Sequence, residues 1–257
     1  MRILAIGDVT DSRAAAHLAA RLWEIRRALS LDFVAANAEN AGFIVGPDPE
    51  VATALLDGGA DVLTGGNHTL QKKSLFPLLE NDRRILRPAN YPPEAPGAGY
   101  AILDAKGYRL LVMNAVGRVE MEPSDCPFRA VDKILSREEG NFDLAILDFH
   151  AEATGEKMAM GYYLDGRVQA VYGTHTHVPT ADEQILPQGT GYITDIGYTG
   201  VRESILGISS EVVLHRFLTH LPERFAPAEG EIRIQGVIFT VDESTRRCTG
   251  VERVVLS

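Results

Sequence analysis

The chain has 257 residues, a formal net charge of −10 and a hydrophobic fraction of 45%. This length can bury a sizeable core, and the composition is typical of a globular protein rather than a disordered one. The acidic balance argues against broad electrostatic binding to nucleic acid, so we expect no direct nucleic-acid partner. It does not exclude a local positive site, because bound metal ions are absent from this charge count.

The sequence shows no membrane or secretory segment. No stretch approaches the ~18 uncharged apolar residues of a transmembrane helix. The N-terminus begins a strand almost at once, without the charged and apolar regions of a signal peptide. The two cysteines, Cys126 and Cys248, lie outside any CxxC motif, which favours unpaired thiols in a reducing compartment. We therefore expect a cytoplasmic protein without a membrane partner.

The first third of the chain alternates between strand-like and helix-like segments. Strands are predicted at residues 2–8, 32–38 and 61–65, and helices at 13–29, 48–56 and 70–80. The first strand is continuously apolar, as in strands covered on both faces, whereas apolar residues of the first helix recur at helical spacing. This order predicts a parallel sheet with right-handed crossovers.

The rest of the chain is richer in strand pairs and begins with a proline-rich loop at 87–97. The predicted strands are 99–104, 109–114, 143–149, 168–173, 183–187, 190–195, 231–241 and 249–256, and the predicted helices are 128–136, 151–163 and 209–218. The first two of these strands, and the last two, favour antiparallel pairing. No linker is evident, so the sequence predicts a single α/β domain over 1–257 with two sheets.

Residue types that bind metal ions recur where the predicted strands end. They are Asp8, Glu39, Asn40, Asn67 and His68 in the first half, and His150, His175 and His177 in the second half. Functional groups collect beyond the carboxyl ends of strands in open parallel sheets. If the two halves of the chain face each other, all eight groups can converge.

Seven of these residues, all except His68, would be too many ligands for one tetrahedral site. Two metal ions fit better, and Glu39 is able to bridge them. Imidazole and oxygen ligands without a thiolate suit Mn²⁺, Fe²⁺, Co²⁺ or Zn²⁺. Two such ions can generate a hydroxide nucleophile and stabilise the attacking and leaving oxygens of an in-line displacement. His68, next to Asn67, is suited to protonate the leaving oxygen instead of binding metal.

Each residue alone has a simpler interpretation. Asp8 can cap a turn, Asn67 and His68 can form a hydrogen-bonded loop pair, and His150 can be a satisfied core histidine. The same chemistry at five strand ends favours a metal site over these interpretations. A purely structural metal site remains an alternative, although the glycines near the ligand-type residues favour an accessible one.

Six segments together resemble the calcineurin-like metallophosphoesterases and, more closely, their YmdB-type subgroup of bacterial phosphodiesterases. The matching segments are residues 37–41, 66–69, 87–90, 148–154, 173–178 and 180–182. The broad family usually has a histidine two residues after the first aspartate, where this chain has Thr10. The subgroup pattern resolves this departure by using Asn40 as a ligand. Asp11 is a further departure, because a small residue is common there in the subgroup.

The resemblance implies an αββα fold, in which two mixed β-sheets flanked by helices surround a dinuclear metal centre. By this resemblance, the first metal is held by Asp8, Glu39, Asn40 and His177, and the second by Glu39, Asn67, His150 and His175. His68 becomes the general acid. Fe or Mn is favoured for the two divalent ions, with Zn or Co as alternatives.

The activity implied by the resemblance is hydrolysis of a small-molecule phosphate ester, namely a 2′,3′- or 3′,5′-cyclic nucleotide, by a metal-activated hydroxide. Two other functions remain open: a broad phosphomonoesterase or phosphodiesterase, and a metal-dependent regulatory protein that binds a ligand without turnover. A homo-oligomer is a reasonable expectation for the subgroup. Loops 87–97 and 117–127 are candidates to line a pocket for the base.

Overall fold

The computed structural model describes residues 1–257 and contains thirteen β-strands and six α-helices. The elements of the first part are β1 (Arg2–Ile6), β2 (Asp8–Val9), α1 (Ser12–Ala28), β3 (Phe33–Asn37), α2 (Pro49–Asp57), β4 (Val62–Thr64) and α3 (Phe76–Asn81). The others are β5 (Tyr100–Ala105), β6 (Tyr108–Val116), α4 (Pro127–Arg137), β7 (Leu144–His150), α5 (Thr154–Leu164), β8 (Ala170–Thr174), β9 (Gln184–Ile185), β10 (Gly191–Ile193), β11 (Tyr198–Val201), α6 (Ser210–Thr219), β12 (Ile232–Asp242) and β13 (Arg247–Leu256). None of the helices is both long and apolar enough to span a membrane.

The strands form two mixed sheets, as predicted. The first sheet has the order β2-β11-β12-β1-β3-β4 with β13 beside β12, and the second has the order β5-β6-β7-β8-β10-β9. The parallel pairing of β1, β3 and β4 confirms the alternation of strands and helices in the first third of the chain. The two predicted antiparallel pairs, β5 with β6 and β12 with β13, are also present.

Alternating side chains of each sheet face different cores. In β1, Ile3 and Ala5 pack in the core between the two sheets, whereas Leu4 and Ile6 pack in the core under α1 and α2. The second sheet alternates in the same way, between the shared core and a third core under α4 and α5. The layers are therefore helix, sheet, sheet and helix, and each sheet is covered on both faces. This explains why β1 is a continuously apolar run.

The first predicted strand, residues 2–8, is interrupted at Gly7. A Cβ atom at Gly7 would lie 2.1 Å from the carbonyl oxygen of Gly197, so glycine is required for this close approach. After Gly7 the chain changes neighbours, and β2 pairs in parallel with β11. The strands predicted from the sequence include none where β11 lies. This change of neighbours starts a new strand at Asp8.

The helix predicted over 70–80 is also interrupted. Two single turns of 3₁₀ helix, Thr69–Gln71 and Lys73–Leu75, precede the short helix α3. Pro77 lies in the first turn of α3. Proline lacks a backbone N–H and its ring clashes with the preceding turn, so a continuous helix through Pro77 is unfavourable. The 3₁₀ turns leave residues 65–68 as a loop directed toward the second sheet.

Candidate metal centre

The eight predicted site residues converge where the ends of strands from the two sheets meet. From the first sheet come Asp8 in β2, Glu39 and Asn40 after β3, and Asn67 and His68 after β4; from the second come His150 at the end of β7, and His175 and His177 after β8. Contacts below 4 Å join residues from the two halves of the chain. The convergence expected from strand ends is thus present in the fold.

His150 lies in one group of ligand-type atoms. Its Nε2 lies 3.0 Å from Asn67 Oδ1, 3.1 Å from His175 Nδ1 and 3.3 Å from Glu39 Oε1. Ligand atoms bound about 2.1 Å from one ion are roughly 3.0–3.4 Å apart. The donor atoms of Glu39, His150 and His175 all lie within 4.8 Å of one another. The spacing and chemistry of this group fit a first-row divalent ion.

A second group of ligand-type atoms also contacts Glu39 Oε1. Asn40 Nδ2 lies 2.8 Å from Glu39 Oε1 and 3.2 Å from His177 Nε2. His177 Nε2 in turn lies 3.8 Å from Asp8 Oδ1. Rotation of the Asn40 amide by 180° brings Oδ1, the atom that can bind a cation, to the position of Nδ2. Glu39 is therefore common to both groups.

Asp8 shows most directly that the site suits a cation. Its side chain is fully buried, and its Oδ1 has no hydrogen-bond partner. Burial raises the pKa of the Asp8 carboxyl well above its usual range, against the opposing charge of His150. A buried carboxylate is unfavourable unless it is paired or coordinates a metal. The donor atoms present therefore fit divalent cations.

Glu39 and His150 carry opposite charges that stabilise each other. Burial acts against both charged forms, yet their mutual attraction lowers the pKa of Glu39 to about 2 and raises the pKa of His150 to about 9. Burial lowers the pKa of His175 to about 3 and that of His177 to about 4. Both imidazoles are consequently neutral near pH 7, which is the form that binds metal.

Thr174 orients His150 through its hydroxyl group. His150 Nδ1 lies 2.9 Å from Thr174 Oγ1, and this hydroxyl donates to Asp148 Oδ1 at 2.7 Å. Because the only hydroxyl proton goes to the carboxylate, Thr174 Oγ1 must accept from Nδ1–H of His150. In neutral His150 the lone pair then lies on Nε2, which faces Glu39. Such outer hydrogen bonds typically fix the tautomer of a metal-binding histidine.

Asp195 holds the bent segment that carries His175 and His177. Its Oδ2 accepts hydrogen bonds from Thr176 N at 3.2 Å and Thr176 Oγ1 at 2.7 Å, and from Lys157 Nζ at 2.8 Å. His175 has a φ of 96° and His177 a φ of 63°, both in the left-handed region that few non-glycine residues adopt. The bend directs His175 toward His150 in one ligand group and His177 toward the other.

The sequence reasoning gave no role to the supporting residues, although Asn37, Asp148 and Thr174 lie in segments that match the family. These residues are Asn37, Asp148, Lys157, Thr174 and Asp195. One of them has a recognisable signal, since Asp148 interrupts the apolar run of β7 and lies fully buried. A carboxylate inside a buried strand requires donors, which predicts a polar network around it. The roles of Lys157 and Asp195 depend on contacts between distant elements and have no local signal.

The two departures from the family pattern have structural roles. Asp11 is the N-cap of α1, and its Oδ1 accepts from Arg13 N and Ala14 N, each at 2.8 Å. Thr10 Oγ1 donates to the carbonyl oxygen of Thr199 in β11 at 3.1 Å. Both residues therefore stabilise the connection between β2 and α1, next to Asp8.

A cavity of about 170 Å³ opens beside the two ligand groups. Its polar wall consists of Thr10, Glu39, Asn40, His68, His175 and His177, and its apolar wall of Phe43, Ile44, Leu206 and Ile208. Loops 87–97 and 117–127, the sequence candidates for a base pocket, do not line it. Phe43 and Ile44, which follow Asn40, lie in its apolar wall.

Comparison with known proteins identifies the family. A sequence model described as YmdB-like protein matches residues 4–254. The chain belongs to the YmdB-like family. This YmdB-like protein is 41% identical over 257 residues to the 2′,3′-cyclic-nucleotide 2′-phosphodiesterase of Bacillus subtilis (strain 168), with 100% of this chain and 97% of that relative covered. The resemblance to YmdB-type metallophosphoesterases is confirmed.

Two crystal structures share the whole fold of this YmdB-like protein. A hypothetical protein from Thermus thermophilus has 41% sequence identity and a TM-score of 0.91, with 100% of this chain and 99% of that chain covered. A novel phosphatase from Mycoplasma pneumoniae has 29% identity and a TM-score of 0.91, with 100% and 93% covered. The predicted fold class and the predicted enzyme class, phosphoric ester hydrolase, are thereby confirmed.

Proposed function

We propose that this YmdB-like protein hydrolyses cyclic nucleoside monophosphates at a dinuclear metal centre. The observation that carries the proposal is that Glu39 Oε1 contacts both groups of nitrogen and oxygen atoms, at 3.3 Å from His150 Nε2 and 2.8 Å from Asn40 Nδ2. The name of the Bacillus subtilis relative supports 2′,3′-cyclic nucleotides as the first substrates to test. The 3′,5′-cyclic nucleotides are the competing class of substrate.

In this proposal, two sets of four residues hold the two ions. Asp8, Glu39, Asn40 and His177 hold one ion, and Glu39, Asn67, His150 and His175 hold the other. Imidazole and oxygen donors without thiolate favour Mn or Fe, with Zn or Co as alternatives. When bound, the two ions would supply a hydroxide nucleophile and neutralise charge on the phosphate.

His68 is the proposed general acid. Opening a cyclic phosphate releases a sugar oxygen, and that oxygen needs a proton as it leaves. The side chain of His68 lines the cavity beside Glu39 and His175. Its backbone N–H donates to Glu39 Oε2 at 2.9 Å, which fixes the loop that carries His68 relative to the ligand groups. His68 can thus reach the leaving oxygen without being a metal ligand.

Phe43 and Ile44 are the proposed contacts of the base. They have φ angles of 64° and 62°, and both lie in the apolar wall of the cavity. A left-handed backbone is strained for bulky residues, above all for β-branched isoleucine. With this backbone the two large apolar side chains lie in the cavity wall, where they would cover the flat face of a base.

Metal-loaded protein tests the proposal directly. We expect about two metal ions per chain by elemental analysis and Mn²⁺-dependent opening of 2′,3′-cyclic AMP. Glu39→Gln should remove both the bound metal and the activity, whereas Glu80→Gln, on the exposed surface of α3, should retain both. Full activity of Glu39→Gln with metal still required would contradict the bridging role of Glu39.

A broad phosphatase is the second candidate, and the description of the Mycoplasma pneumoniae structure as a phosphatase favours it. The ratio of kcat/KM for 2′,3′-cyclic AMP to that for a phosphomonoester separates the two functions. A ratio well above one supports the cyclic-nucleotide phosphodiesterase. Ligand binding without any turnover would instead favour the regulatory protein.

A further inference from the structure

A second cavity lies between the loop after residue 86, the start of β5 and helix α4. Its volume is about 560 Å³, within the range of roughly 300–1,000 Å³ for small-molecule sites. None of the residues that line it also lines the cavity beside the metal ligands. It is therefore a separate site. It is built partly from loops 87–97 and 117–127, which the sequence analysis named as candidates to line a base pocket.

Arg87 is a buried arginine in the wall of this cavity. Arg87 is only 6% exposed, and its Nη1 donates to the Pro88 carbonyl oxygen at 2.8 Å. Its Nε is buried without an acceptor. Burial lowers the pKa of Arg87, and no acidic group opposes this shift. A buried guanidinium without a carboxylate partner calls for an anion.

Three exposed cations extend the positive wall along α4. Arg129, Lys133 and Arg137 follow each other at intervals of four residues and line the same cavity. Like charges at this spacing destabilise a helix. Arg137 has an acidic neighbour in Glu138, at 3.6 Å, and Asp125 is the only acidic residue in the cavity lining. This excess of positive charge occurs in a protein of net charge −10, so it marks a local site for an anion.

The rest of the cavity lining offers aromatic and apolar surface. Tyr91, Pro93, Ala98 and Tyr100 contribute to it. Aromatic side chains bind nucleobases by stacking, independently of sequence. We propose that the cavity binds a nucleoside monophosphate, with the phosphate on Arg87 and the α4 cations and the base against the tyrosines.

The second cavity and the metal centre share a structural support but no ligand. Ala89 N donates to the Asn114 carbonyl oxygen at 2.7 Å. The Asn114 side chain then binds Gly65, accepting from its N–H at 3.1 Å and donating to its oxygen at 3.0 Å. Gly65 leads into the loop that carries Asn67. Nucleotide binding in the cavity therefore needs no metal and can be measured on protein treated with a chelator.

Isothermal titration of chelator-treated, full-length protein with AMP tests the proposal at constant ionic strength. We expect saturable binding at one site, with adenosine and inorganic phosphate each binding more weakly than AMP. The double variant Arg129→Gln/Lys133→Gln, which changes exposed side chains only, should weaken AMP binding at least about tenfold. Arg202→Gln, a charge change at an exposed position outside the cavity, should leave the Kd unchanged.

Arg87→Met provides a second test, with its folding checked by thermal unfolding. A folded variant should bind AMP at least about tenfold more weakly than wild type. The proposal is overturned by an absence of saturable AMP binding, or by equal affinity of the double variant and Arg202→Gln. Equal affinity for AMP and inorganic phosphate would refute the nucleotide as ligand. None of these results depends on activity at the metal centre.

Discussion

Lys157 and Asp195 form a fully buried ion pair, with 2.8 Å between Nζ and Oδ2 and side-chain exposures of 1% and 0%. Asp195 also binds the backbone N–H and the hydroxyl of Thr176, between the two histidines of the bent segment. The pair therefore joins α5 to the segment that follows β8. Its effect on the metal centre acts through the position of the two imidazoles.

Replacement of Lys157 by methionine should leave Asp195 as an uncompensated buried charge. We expect Lys157→Met to lower the free energy of unfolding by about 3–5 kcal/mol, as measured by denaturant titration. Lys157→Met/Asp195→Asn should recover part of that loss. Lys73→Met, at an exposed position, should change stability by less than about 0.5 kcal/mol. Wild-type stability of Lys157→Met would show that the pair does not hold this segment.

Thr174→Val should weaken metal binding while the fold persists. The substitution removes the hydroxyl that joins His150 to Asp148, so the tautomer and ring orientation of His150 are no longer fixed. We expect a loss of about 10–100-fold in metal affinity, measured by competition with a chelator. Thr174→Ser keeps the hydroxyl and is the matched control. Equal losses in the two variants would contradict a specific role of the hydroxyl.

Asp8→Asn should change stability in opposite directions with and without metal. In chelator-treated protein the amide avoids a buried charge, so the variant should be more stable than wild type by about 1–3 kcal/mol. In metal-loaded protein wild type should be the more stable, because it gains the ligand. Thermal unfolding of both proteins, with and without metal, measures this reversal in their order of stability. Asp57→Asn, at an exposed position, should shift both conditions equally, and the same behaviour of Asp8→Asn would argue against ligation.

Ile44→Gly should separate substrate binding from stability. Glycine relieves the left-handed strain at this position but also removes an apolar contact for the base. We expect KM for a cyclic nucleotide to rise about tenfold, kcat to stay nearly constant and the melting temperature not to fall. Val45→Gly, outside both the cavity and the left-handed region, should lower the melting temperature without raising KM. An unchanged KM for Ile44→Gly would remove Ile44 from the base site.

The sequence predicted the parallel strands well because their signals are local. The segments of β1, β3 and β4 are apolar runs separated by helical patterns, and such runs indicate buried strands in any context. The predicted end of the first strand was wrong because the break at Gly7 depends on its close approach to Gly197, a residue far away in the chain. Likewise β11 has few residues and an unremarkable sequence, and it exists because β2 and β12 provide partners on both sides.

The residues that converge were visible in the sequence, whereas the residues that support them were not. Ligand-type residues at strand ends are visible in the sequence, and the sheet topology brings them together. The divergence of His175 and His177 requires left-handed backbone angles that no propensity favours. Those angles persist because Asp195, which follows β10, holds the segment after β8 once these two strands have paired. The cytoplasmic location, the single domain and the homo-oligomer stay predictions.

Strand β12 lies between β1 and β11, so the interior of the first sheet is completed by one of the last segments of the chain. Arg2 pairs with Thr240, and the N-terminal ammonium group donates to the Val241 carbonyl oxygen at 2.8 Å. During synthesis on the ribosome, β1 therefore keeps an open edge until β12 has emerged. Contacts of such long sequence separation slow folding and expose strands to aggregation. We therefore expect the candidate metal centre to reach its final geometry only when translation is almost complete.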